Sequence, residues 1–169
     1  IYLYTTYDIN RTKNIMKKRK LIYPALDPIK LFSKWLKEAE HKEINDPNAM
    51  NLATISKGLT PSSRMVLLKF FDESGFVFFT NIESKKGKSI LFNQNVALTF
   101  HWKSLLRQVR IEGKAKIVSK IEADNYFNSR PIGSKISAWA SNQSRHLKDR
   151  KEIIKNVNKY EKKFKNNFI

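Results

Sequence analysis

From Arg107 to Ser119 the chain alternates without a break. Val109, Ile111, Gly113, Ala115 and Ile117 fall on one side; Gln108, Arg110, Glu112, Lys114 and Lys116 fall on the other. A period of two over this length fits a β-strand with one face on a core and the other toward water. A lone strand would leave its backbone donors and acceptors unpaired, so the pattern demands partners. The neighbouring segments supply them. Met50 to Ser56 alternates moderately, Lys57-Gly58 marks a turn, and Ser62 to Phe71 is a long β-rich run. Asp72-Glu73-Ser74-Gly75 reads as a hairpin turn with Phe76 to Asn81 as the returning strand, and Asn95 to Trp102 is a further strand.

Helical patterns flank these strands. Asp27 reads as an N-cap with Pro28 at the first helical position, and Ile29, Phe32, Trp35, Leu36 and Ala39 share one face of a helix ending near Ile44. Ser84 caps a short basic helix with Ile90, Leu91 and Phe92 on its apolar side. Further helices are expected at Ile121–Asn128, around Ile136–Ala140, and from Leu147 to about Phe164. Antiparallel strands with helices on the flanks make an α+β domain built on a small barrel or sheet. Residues 1–26 are basic and without clear period, and are read as a poorly ordered arm. Residues 27–169 form one domain.

Lys and Arg number 33 against 15 Asp and Glu, a formal charge of +18. Such a balance suits an anionic partner: nucleic acid, a membrane surface or a phosphorylated small molecule. The lysines are scattered, and they fill ends such as Lys17-Lys18-Arg19-Lys20 and Lys162-Lys163-Phe164-Lys165. Most of the charge therefore reads as solvated surface in a lysine-rich sequence, and no clustered stripe points to nucleic acid. The chain has no cysteine, which excludes disulfides, thiolate metal sites and cysteine nucleophiles. No apolar run is long enough for a membrane span, and the cytoplasm is the default compartment. His41, His101 and His146 show no metal spacing, and there is no P-loop, G-x-G-x-x-G or G-x-S-x-G.

What remains is chemistry for anions. Tyr126, Arg130 and Ser134 recur at intervals of four, the spacing that puts side chains on one helix face, and a guanidinium with two hydroxyls suits a phosphate. Ser84-Lys85-Lys86 sits at a helix start, where free amides and the helix dipole favour an anion and where unpaired lysines would otherwise oppose the dipole. Arg64 and Lys69 stand five apart on a strand and so face opposite sides. Gln108 lies on a polar strand face, where an amide can donate to and accept from a heterocycle edge.

Taken together, these segments resemble the pyridoxamine 5′-phosphate oxidase family. The resemblance is carried by Asp27-Pro28, Asp46-Pro47-Asn48-Ala49-Met50, Arg64-Met65-Val66-Leu67-Leu68-Lys69, Phe78-Phe79-Thr80-Asn81 and Ser84-Lys85-Lys86. It continues in Arg107-Gln108-Val109, Tyr126-Phe127-Asn128-Ser129-Arg130-Pro131 and Ala138-Trp139-Ala140-Ser141-Asn142-Gln143-Ser144. It implies a split β-barrel that forms a homodimer with FMN at the subunit interface. By the same resemblance, Arg64, Met65, Val66, Leu67, Leu68, Lys69, Phe79, Thr80, Lys85, Lys86, Gln108, Gln143 and Ser144 match cofactor-binding positions. Lys69, Tyr126, Arg130 and Ser134 match positions that hold the substrate phosphate.

The implied reaction oxidises pyridoxamine or pyridoxine 5′-phosphate to pyridoxal 5′-phosphate, with O2 as acceptor and hydrogen peroxide as product. No residue of the chain is assigned as an acid or base, and no metal is implied. Phe79 stands where the family commonly has tyrosine, and Lys85 where it commonly has arginine. The chain stops at Ile169, ahead of the family's tryptophan-glycine-glycine strand and arginine-x-histidine segment, which touch substrate and flavin. Two other readings follow: a flavin-binding split-barrel protein without this oxidase activity, and a basic nucleic-acid-binding module.

Overall fold

The computed structural model describes residues 2–4, 27–147 and 149–164. Of the arm expected at residues 1–26, all but Tyr2–Tyr4 lies outside the described residues. Seven strands are described: β1 (Tyr2–Tyr4), β2 (Ala49–Ile55), β3 (Pro61–Leu67), β4 (Phe70–Asp72), β5 (Gly75–Val77), β6 (Asn95–Trp102) and β7 (Arg107–Lys114). Five of them form one sheet in the order β1-β7-β6-β2-β3, while β4 and β5 make a separate two-stranded ribbon. Every pairing is antiparallel. The helices are α1 (Pro28–Lys42), α2 (Lys85–Phe92), α3 (Lys120–Ser129), α4 (Ile132–Ala140) and α5 (Arg150–Phe164). The class is α+β, an antiparallel sheet with flanking helices.

Helix α1 starts where its cap predicts. The Asp27 carboxylate accepts from the amides of Ile29 and Lys30 at 2.8 and 3.2 Å, which satisfies two donors that have no partner within the helix. Its apolar face delivers Phe32, Trp35, Leu36 and Ala39 to the core. There Phe32 meets Phe71, Phe76 and Phe100 edge-on, with ring centroids 4.8 to 5.1 Å apart. One helix residue thus binds the small ribbon to the large sheet. The far end of α1 is fixed by Arg107, whose guanidinium pairs with Glu38 at 2.6 Å and lies over the Trp35 ring at 4.7 Å. Trp102 is buried and donates its indole N–H to the Pro47 carbonyl at 2.7 Å.

Four expectations need correction. The Ser62–Phe71 run is not one strand: β3 ends at Leu67, because Leu68 turns into the core and its amide and carbonyl both bond to Asn48, at 2.9 and 3.0 Å. The strand expected from Phe76 to Asn81 correspondingly shortens to β5. The alternation after Arg107 is a strand only to Lys114. Its partner β6 begins at Asn95, opposite Lys114; one further bond, from the Ala115 amide to the Gln94 carbonyl at 2.8 Å, closes the pairing, and Ile117 is left 70% exposed. Helix α2 docks through Gly87, Ser89 and, of the three apolar residues expected on its inner side, Ile90; Leu91 and Phe92 remain half exposed.

Candidate functional site: an anion cradle beside a stacked aromatic pair

The β2–β3 hairpin sets Leu52 opposite Arg64 and Thr54 opposite Ser62. The Arg64 side chain therefore reaches across its neighbour. It donates to the Leu52 carbonyl at 3.1 Å, to Thr54 Oγ1 at 2.8 Å, and to Ser62 Oγ. Thr54 is buried, and this bond satisfies its hydroxyl. A guanidinium carries five N–H donors. Three are used here, so Nε–H and one Nη2–H stay available on a side chain whose direction is already fixed. Burial lowers the Arg64 pKa, but a guanidinium remains charged.

Helix α2 begins beside this arginine. Ser84 caps it, accepting from the Gly87 amide at 3.3 Å and donating to the Asn81 carbonyl at 2.6 Å. The amides of Lys85 and Lys86 have no partner within the helix, as at any helix start. The turn before the helix packs so closely that a Cβ on Gly87 would lie 2.2 Å from the Ile82 carbonyl oxygen, so only glycine fits. Burial, and after it the Arg64 charge, push the Lys86 pKa down. Among the described residues no carboxylate pairs with Arg64 or Lys86. Two partly desolvated cations that repel each other at a capped helix start make a seat for a multiply charged oxyanion.

A second cluster lies between the ribbon and α3. The rings of Phe79 and Tyr126 stack at 3.8 Å between centroids and 5° between planes. The Lys69 ammonium lies over the Tyr126 ring at 6.0 Å. Next to Phe79, Thr80 donates to Gln143 Oε1 at 3.4 Å, and Arg145 reaches Glu83 at 3.5 Å. These two contacts join the segment after α4 to the turn before α2. Ser144 in that segment has φ of 66°, a left-handed turn residue.

The sequence-predicted residues sort accordingly. Arg64 and Lys86 share the cradle, with Lys85 exposed at its edge. Lys69, Phe79 and Tyr126 form the second cluster, with Thr80 and Gln143 adjoining. Met65 and Leu67 project from the outer face of edge strand β3, while Val66 points inward, half-buried. Leu68 is only 4% exposed, so its side chain belongs to the core. Gln108 is half-buried on β7, opposite His101.

The single helix face proposed for Tyr126, Arg130 and Ser134 is corrected. Helix α3 ends at Ser129, Arg130 is extended with ψ of 147°, and Ser134 belongs to α4. Pro131 has no amide to continue the ladder and disfavours a helical residue before it. The three residues are spread over a helix, a corner and the next helix, and Arg130 lies over the Phe127 ring at 5.8 Å. Strand parity between Arg64 and Lys69 also lapses, since Lys69 lies past the end of β3. Sequence reasoning missed Thr54, Ser62 and Gly87. The first two follow from the register, which centres on Gly58 and so pairs position 54 with 62 and 52 with 64; a two-residue turn at Lys57-Gly58 would have placed the pairing one residue off.

Residues 36–164 match the family model described as Pyridoxamine 5′-phosphate oxidase. A pyridoxine/pyridoxamine 5′-phosphate oxidase from Rhizobium meliloti (strain 1021) is 57% identical over 136 residues, covering 80% of this chain and 66% of the relative. One from Brucella canis is 55% identical over 140 residues, covering 83% and 69%. The chain thus spans about two thirds of the length of the curated relatives it matches. Among solved structures, PhzG from Burkholderia lata 383, in complex with tetrahydrophenazine-1-carboxylic acid, superposes with a TM-score of 0.76 at 27% identity, covering 81% of this chain and 68% of that one. A pyridoxamine 5′-phosphate oxidase-related, FMN-binding protein from Nostoc punctiforme shares the fold, with a TM-score of 0.60 at 14% identity over 77% and 72%.

Proposed function

The chain belongs to the pyridoxamine 5′-phosphate oxidase family, and from that premise we propose that it is an FMN-dependent oxidase of phosphorylated B6 vitamers, built on the family's split barrel. The substrate would be pyridoxamine or pyridoxine 5′-phosphate and the product pyridoxal 5′-phosphate. One observation carries the reading: the Arg64–Lys86 cradle offers fixed, unneutralised donors for the FMN phosphate beside a separate group, Lys69 and Tyr126, suited to a second phosphate. Thr80, Gln108, Gln143 and Ser144 would flank the flavin. Arg130 and Ser134 would complete the substrate-phosphate pocket.

Bound FMN would supply the redox chemistry, taking a hydride from the substrate carbon next to the ring and passing the electrons to O2 as hydrogen peroxide. The residues of this chain then have a binding and orienting task, and a fixed substrate phosphate turns remote binding energy into alignment of the reacting carbon. Arg64 arrives pre-oriented by three hydrogen bonds, so little side-chain entropy is lost when the anion binds. The family's homodimer is part of this proposal. The exposed Met65 and Leu67 on edge strand β3 offer an apolar surface for a second copy.

The likeness to PhzG supports a second reading, a flavoprotein of this fold acting on a ligand without a phosphate. An anaerobic titration separates the two. The FMN-loaded chain should lose its yellow absorbance on addition of pyridoxine 5′-phosphate. Flavin that is retained but stays oxidised would favour the second reading.

A further inference from the structure

Helix α3 is weakly anchored for an element carrying a binding residue. None of its residues is fully buried, and its apolar Ile121 is 75% exposed. What it does have is the flat stack of Tyr126 on Phe79, the closest aromatic pair among the described residues at 3.8 Å. Face-to-face stacking is not what two such rings choose on their own, because their negative faces oppose; edge-on or offset pairs are preferred. The core pairs of Phe32 take that edge-on form. A near-parallel pair at short range is therefore set by the surrounding structure. It blocks movement of the Tyr126 ring toward Phe79, perpendicular to its face, and so limits the swing of the hydroxyl at the ring's far end.

We propose that Phe79 is the positioning residue of the substrate-phosphate pocket: its ring backs the face of Tyr126 and keeps the phenol from swinging out of line, so that the hydroxyl is presented to the phosphate. This rests on the reading of Tyr126 as a phosphate donor. Phe79 has no polar atom with which to touch the anion itself, so its effect must pass through Tyr126. The Lys69 ammonium lies over the same Tyr126 ring, 6.0 Å from its centroid, and brings a positive charge to the cluster. An aromatic side chain is required at position 79, while a hydroxyl there is not. A flexible aliphatic side chain of similar size would fill the space and let the Tyr126 ring rock.

The test is a double-mutant cycle read as the calorimetric Kd for pyridoxal 5′-phosphate at saturating FMN, with the FMN Kd measured for every variant because position 79 also matches a cofactor-binding position. Tyr126→Phe should weaken binding about tenfold or more, the usual size of a lost hydrogen bond to a charged group. Phe79→Leu and Phe79→Met should each weaken it roughly fivefold, and Phe79→Tyr should leave it within about twofold. Combined with Tyr126→Phe, Phe79→Leu should add almost nothing, because the hydroxyl it positions is gone. Two aliphatic variants are used so that poor folding of one leaves the other to decide. Independent losses in the double mutant would overturn the proposal, as would losses in the Phe79 variants that vanish at saturating FMN, which would leave Phe79 acting through the flavin alone. An unchanged Kd in Tyr126→Phe would instead remove the phosphate reading beneath it, and the proposal with it.

Discussion

Two aromatic groups in this molecule obey different rules. Under α1, the buried Phe32 meets the partly buried Phe71 and Phe76 edge-on, at 80° and 88°. Between the ribbon and α3, Phe79 and Tyr126 lie flat at 5°, half-buried and beside a lysine. The first geometry is the one isolated rings prefer, and it is what a core produces when only packing decides. The second departs from that preference where we propose that a substrate phosphate binds. The same contrast separates the cations. Arg107 is neutralised by Glu38 and covers Trp35, whereas Arg64 is held by neutral oxygens and keeps its charge for something else.

Breaking the core side of the comparison should cost most. Phe32→Ala removes the ring that joins helix, sheet and ribbon, and should lower unfolding free energy by about 3–5 kcal/mol in a denaturant titration. Next comes Arg64→Met. Losing charge-assisted donors worth roughly 1.5–3 kcal/mol each should weaken FMN binding by at least tenfold in flavin-fluorescence titrations. It should also cost stability, since Thr54 is left buried without its partner. Gly87→Ala drives a Cβ into the Ile82 carbonyl and should destabilise by about 1–3 kcal/mol, with weaker FMN retention because the helix start must shift. If that variant binds FMN as wild type does, the helix start is no part of the cradle.

The smallest effect is a pH dependence. The Lys86 pKa is lowered in the folded chain, so without ligand the folded state binds fewer protons there than the unfolded state, and stability rises as pH rises through that lowered value. A bound phosphate favours the ammonium and reverses the shift. FMN binding should then take up protons in the alkaline range, and affinity should fall as pH climbs past the lowered Lys86 pKa. Calorimetry in buffers of different ionisation enthalpy would detect the uptake, and Lys86→Met should abolish it.

Much of this was legible in the sequence. Period-two alternation, the Asp27 cap and the Ser84 cap gave the sheet and the starts of α1 and α2, because these signals are local. What escaped was set by partners far along the chain. Leu68 breaks β3 because Asn48, twenty residues earlier, captures its backbone, and β7 ends where β6 stops offering pairs. In the site, the residue types at a helix start suggested an anion seat, and the structure brings one of those residues, Lys86, near Arg64 without a paired carboxylate among the described residues. The spacing of Tyr126, Arg130 and Ser134 suggested a helix face that Pro131 forbids. The stack of Phe79 on Tyr126 left no local trace, since neither residue's surroundings in sequence mention the other.

The central claim is that Arg64 and Lys86 form a seat for a phosphate, and comparing FMN with riboflavin tests it most directly. The two differ only in the phosphate. The account predicts that the chain quenches FMN fluorescence at concentrations at least tenfold lower than riboflavin, and that Arg64→Met abolishes the difference. Equal affinity for the two flavins would contradict it.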